Sequence, residues 1–190
     1  MTALPPATDP LIDLRTALPA AIFDIRYATA ANPTGEPLYP FPGAFLRRST
    51  AAKLVEAAAA LKDRGFLLVV YDAYRPLSAQ KALWKAKPDP RFVADPRKGS
   101  SHNKGAAVDL GLASLDGRAL EMPSAFDEFG PRARHGAPGV PAEARARAEA
   151  LKAAMTAAGF EPLEDEWWHY RDRAAKDWPV LDVPFGELAQ

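Results

Sequence analysis

Cysteine is absent from the 190 residues. That excludes a disulfide framework, a thiolate metal site and a cysteine nucleophile, so a transition-metal site can be built only from His, Asp and Glu. Histidine is scarce as well: the chain holds only His102, His135 and His169. A surplus of charge is also lacking, because Lys+Arg and Asp+Glu balance at 24 each. Zero net charge is a poor footprint for gripping phosphate backbones, so no nucleic-acid partner is expected. No apolar run reaches the length of a membrane span. Residues 1–10 lack the basic start and apolar core of a secretory leader. The expectation is a cytoplasmic protein without a membrane partner, of unspecified oligomeric state.

What is present is an ordinary globular mixture, 48% hydrophobic and 25% charged, long enough for one well-cored domain. Nineteen prolines shorten its regular elements. Residues 22–27 alternate like a half-buried strand. Ser49 or Thr50 is placed to cap a helix over residues 51–64, with Leu54, Val55, Ala58 and Leu61 on one face. Residues 66–71 form a continuous apolar run, read as a central strand, and a short helix follows over residues 78–85. Residues 105–111 and 119–122 read as strands joined by a turn at Asp116 and Gly117. Residues 123–141 are irregular. A helix then runs from Pro141 to about Ala158, closed by Gly159, and a last strand covers residues 167–171. With no repeat and no linker, the chain reads as a single α+β domain spanning residues 1–190.

Three segments carry chemistry. In the first, His102 lies on a loop and Asp109 in the apolar strand after it, with Gly105 allowing a tight turn between them. A carboxylate in such a strand is costly unless it is paired or bound to a metal. In the second, bulky aromatics flank His169, and Glu166 stands three residues before it. Each segment alone also fits a capping or core histidine beside solvated acids. Together, His102, Asp109 and His169 supply two imidazoles and a carboxylate, which leaves the fourth position of a zinc ion for water, as in catalytic sites. Glu166 is then the free carboxylate able to act as base. In the third segment Arg75 precedes Pro76 at a strand end, with its backbone restricted. It either faces a developing oxyanion or pairs with Asp72 or another acid. His135, beside Arg132 and Arg134, reads as solvated and without a role.

The ordered set of Asp72 to Pro76, then Ser100, His102, Gly105, Ala107 and Asp109, then Glu166 and His169, resembles the D-alanyl-D-alanine dipeptidases. These are a branch of the zinc DD-peptidases related in fold to hedgehog signalling domains. The likeness extends to residues 24–29, to Asn32, Thr34 and Gly35, and to residues 125–127, and so covers about residues 20–175. It implies a mainly antiparallel central sheet flanked by helices and one Zn2+ per chain. It implies His102, Asp109 and His169 as ligands, Glu166 as base and Arg75 as the oxyanion's partner. It further implies that Ser100 and Tyr27 lie near the substrate, and that Asp127 meets the substrate's ammonium group. The expected substrate is a small dipeptide, D-Ala-D-Ala or a similar D-containing one. The alternatives are a carboxypeptidase or endopeptidase acting on longer peptidoglycan peptides, and a non-catalytic zinc-binding module. The chain departs from the family pattern at Ala31, Pro33 and residues 122–124, which bears on selectivity.

Overall fold

The computed structural model describes residues 9–90 and 92–188. Most of the segment read for a leader, residues 1–8, lies outside them. The described residues open with β1 (Leu11–Asp13) and α1 (Leu14–Ala17), then β2 (Ile22–Phe23) and β3 (Phe45–Arg47). Helix α2 (Arg48–Lys62), β4 (Phe66–Asp72) and α3 (Leu77–Ala86) follow. After a long loop come β5 (Ala107–Ser114) and α4 (Ala142–Ala157), then β6 (Phe160–Leu163), β7 (Glu166–Asp172) and the short α5 (Phe185–Leu188).

Among the described residues, five strands form the main sheet in the order β2-β4-β5-β7-β6, of which only β2 and β4 run parallel. The fold is therefore mixed α+β with a mainly antiparallel sheet. β5 is buried along nearly its whole length, as its apolar composition requires of a strand with a neighbour on each side. Helices α2 and α4 pack against one another and the sheet. Helix α2 buries Thr50, Ala51, Leu54, Ala57 and Leu61, the recurrence of an amphipathic helix. Among the described residues, no helix is long and apolar enough to cross a membrane.

Several local expectations are corrected. Helix α2 begins at Arg48, so Ser49 and Thr50 lie inside it. Its amino end is closed from a distance: Asp9 accepts from the Ser49 N–H at 3.0 Å and its hydroxyl at 2.6 Å. Thr50 instead donates to buried Asp172 at 3.0 Å, and Lys53 pairs with the same carboxylate at 2.6 Å. The strand expected over residues 22–27 stops at Phe23, because Arg26–Ala28 coil into a 3-10 turn. That turn is pinned where the Leu38 and Tyr39 N–H groups both donate to the Tyr27 carbonyl, at 2.7 and 3.0 Å. Residues 119–122 make a single bridge, Ala113 to Ala119, rather than a strand. Pro123, with no N–H, cannot extend that ladder. Nor is His135 a free surface group: its Nε2 is fully buried without a hydrogen-bond partner, and its ring meets the Tyr170 ring at 6.3 Å.

Candidate active site

The site is a row of residues across the centre of the sheet. On β4, Asp72 stands opposite Asp109 of β5, and Asp109 stands opposite His169 of β7. Cross-strand partners place their side chains on one face, so the register alone gathers the three. His102 joins from the loop before β5, at the start of a 3-10 turn closed by Gly105 at φ 65°. A Cβ at Gly105 would lie 2.5 Å from a Leu11 methyl, so both the left-handed backbone and the close approach require glycine.

Backbone bonds lock that loop to the end of β4. The Arg75 N–H donates to the His102 carbonyl at 3.2 Å, and the Asn103 side chain donates to the Arg75 carbonyl at 2.8 Å. His102 Nδ1 lies 2.7 Å from the Ala73 carbonyl, so the ring donates there and leaves Nε2 unprotonated, with its lone pair available to a metal. That Nε2 is 3.1 Å from His169 Nδ1 and 3.4 Å from Asp109 Oδ1, and His169 Nδ1 is 3.0 Å from the same oxygen. A tetrahedral zinc with bonds of about 2.0–2.1 Å spaces its ligand atoms about 3.3 Å apart. The triangle and its N2O donor set therefore fit a zinc-like dication. Burial works against a charge on Asp109, but the two imidazoles outweigh it and hold that carboxyl far below its usual range.

Glu166, at the start of β7, lines the same cavity as the three donors. Burial, then Asp109 and Asp127, push its carboxyl up to about 9. Arg75 lines it too, and of the alternatives weighed for this residue the pairing with Asp72 is present. Its Nε and Nη2 donate to Asp72 Oδ2 at 3.0 and 2.7 Å, while its guanidinium carbon lies 4.7 Å from the Tyr27 ring centre. Its third edge, Nη1, donates to Gln80 at 2.9 Å. Asp72 also accepts from the Tyr39 hydroxyl at 2.7 Å, so the guanidinium is fixed in orientation and stays charged.

Tyr27 donates its hydroxyl to Asp127 at 2.9 Å. Burial, then the field of Asp109, push the Asp127 carboxyl up to about 7. Ser100 lines the cavity on the side of the His102 loop. Thus His102, Asp109, His169, Glu166, Arg75, Ser100, Tyr27 and Asp127 all border one cavity of about 650 Å³.

Of the residues that hold these groups, sequence reasoning named Asp72 as a partner for Arg75 but missed Gln80 and Ser101. Asp72 and Gln80 are wholly buried polar side chains that orient Arg75, and the Gln80 amide reaches on to the Ala94 carbonyl at 2.8 Å. Ser101 brings its hydroxyl to 3.5 Å from His169 Nε2. Gln80 on a short helix offers no local signal.

The model of the D-Ala-D-Ala dipeptidase family matches residues 7–187. The chain is 37% identical over 178 residues to the D-alanyl-D-alanine dipeptidase of Escherichia coli K12, covering 94% of this chain and 92% of that protein. To the protein of that name from Enterococcus faecalis it is 33% identical, over 86% of this chain and 87% of the relative. To the Streptomyces coelicolor dipeptidase it is 32% identical, over 86% and 90%.

Proposed function

The chain belongs to the D-Ala-D-Ala dipeptidase family of peptidases, and from that premise we propose that it is a zinc-dependent dipeptidase hydrolysing D-Ala-D-Ala or a closely similar D-containing dipeptide. The observation that carries the zinc reading is the His102, Asp109 and His169 triangle, with Glu166 and Arg75 bordering the same cavity. Two imidazoles and one carboxylate suit zinc, one ion per chain, and leave a coordination position open. When bound, zinc would polarise the scissile carbonyl and lower the pKa of a water to about 7.

The protein's own groups do the rest. Glu166 takes the proton of the attacking water and delivers it to the leaving amine. Arg75, held by Asp72 and Gln80, presents a fixed cation to the carbonyl oxygen as charge develops there. Asp127, oriented by the Tyr27 hydroxyl, receives the substrate's ammonium group, and Ser100 borders the bound dipeptide. A cation beside Asp127 stabilises its carboxylate, which offsets the burial that raises its pKa. A non-catalytic zinc module would need neither Glu166 nor Arg75.

The test is hydrolysis of free D-Ala-D-Ala by the purified protein, before and after chelation, with zinc add-back. Activity lost on chelation and restored by zinc is the expected outcome. Turnover that is indifferent to a chelator which strips the metal would sink the zinc mechanism. Zinc-loaded protein inert on all D-containing dipeptides would sink the substrate assignment.

A further inference from the structure

The lining of the cavity includes two aromatic side chains that the chemistry itself does not use. Phe92, in the loop after α3, and Phe129, two residues beyond Asp127, bring their ring centres to 4.8 Å. Lys87 caps both rings, its Nζ 4.9 Å from the centre of Phe92 and 4.2 Å from that of Phe129. Phe129 also meets the edge of Trp168, the neighbour of His169, at 6.2 Å. Both phenylalanines line the catalytic cavity. Two loops far apart in sequence are therefore clasped together at the cavity wall by an aromatic pair under a cation.

The backbone explains why an acid and a wall arrive together. Asp127 has φ 59°, a left-handed conformation that Asp tolerates better than most residues. The Phe129 N–H folds back to the Asp127 carbonyl at 3.0 Å, and the Glu128 N–H to the Ala125 carbonyl at 3.2 Å. One tight turn thus puts the Asp127 carboxylate and the Phe129 ring on the same cavity.

We propose that Phe92 and Phe129 are specificity-determining residues: they end the substrate site just beyond the amine and so restrict it to free dipeptides. This rests on the dipeptidase reading, in which Asp127 faces the substrate's ammonium. An acyl group or a further residue on that nitrogen must enter the space of the clasped rings. Phe129 is buttressed by Trp168 and the pair is capped by Lys87, so yielding means opening the clasp. A blocked amine also leaves Asp127 without its cation, but that penalty is independent of the rings and survives their removal.

The experiment compares kcat/KM for D-Ala-D-Ala, N-acetyl-D-Ala-D-Ala and tri-D-alanine in zinc-loaded wild type, Phe92→Ala and Phe129→Ala. The blocked-to-free ratio should rise by roughly tenfold or more in each variant, the scale on which removed pocket bulk changes discrimination. An unchanged ratio in folded variants overturns the proposal, as does a wild type that cleaves the blocked substrate as readily as the free one. If circular dichroism shows that the Ala variants do not fold, Phe129→Leu and Lys87→Met decide by the same ratio: a rise supports the clasp and no change overturns it. A wild type inert on the free dipeptide defeats the dipeptidase reading and the clasp with it. A wild type active on it with flat ratios in the variants defeats the clasp alone.

Discussion

Glu166 has to satisfy opposed demands. A general base must hold a proton and give it up near neutral pH, yet burial together with Asp109 and Asp127 pushes this carboxyl up to about 9. With protein groups alone around it, Glu166 stays protonated at pH 7. A dication held by Asp109 and the two imidazoles reverses the local field and favours the carboxylate. On the proposed reading, the ion that would activate the water would also make Glu166 competent as the base. Glu166→Gln keeps the volume and the hydrogen-bonding shape but removes the titration. It should lower kcat by roughly 10²- to 10⁴-fold, the usual worth of general acid–base catalysis, while metal content by atomic absorption stays at one equivalent. Near-normal turnover in that variant would refute Glu166 as the base. The candidate ligands were legible because the chain offers so few alternatives: three histidines and no cysteine leave a short list of possible metal-binding groups. Gln80 was illegible because its role comes from two contacts, with Arg75 and the Ala94 carbonyl, that no local pattern announces.

At the scale of elements, apolar runs and terminal glycines marked β4, α3 and α4 to within a few residues. The short β1 and β3 went unseen: three residues each, they exist only because they pair with one another. The register that aligns Asp72, Asp109 and His169 was likewise beyond reach, since pairing is a tertiary fact. The segment over residues 123–141 shows the same limit. Its His135 looked solvated beside two arginines, but the His135 N–H donates to the Glu164 carbonyl next to β6 at 3.0 Å and its ring is half-buried against Tyr170. Burial, then Lys152, lower its pKa to about 4, against about 6.5 in the unfolded chain. Between those values the unfolded chain binds the extra proton, so the stabilisation is complete above pH 6.5 and is lost as pH falls toward 4. Allowing for the ring's partial exposure, the loss is on the order of 1 kcal/mol at pH 5. Urea unfolding of chelated wild type and His135→Phe at pH 7 and pH 5 isolates it, because every other titration is shared. The variant should lose less stability than wild type over that interval; parallel losses would show that His135 carries no linkage.

Across the whole molecule, the candidate metal site draws on two central strands and the loop before one of them. Asp109 and His169 belong to adjacent central strands, while His102 belongs to a loop tied to β4 by the Arg75 and Asn103 bonds. Asp127 and Glu166 add further carboxyls to the same cavity. Several acids around one buried centre repel one another, and a dication there relieves that repulsion while linking three segments into one unit. A ligand that binds only the folded state stabilises it by RT ln(1 + [L]/Kd), about 4 kcal/mol at a thousandfold excess over Kd. For a chain of this size that is worth about 10 °C in Tm. Thermal unfolding of chelated protein should therefore shift upward on titration with zinc, and the shift should vanish in His169→Ala. Asp127→Asn, which leaves the three ligands in place, should keep most of it. A Tm that ignores saturating zinc, or a full shift in His169→Ala, would place the metal elsewhere and detach the mechanism from this triangle. The readout needs no substrate, so it tests the metal assignment even if the preferred dipeptide proves to be another one.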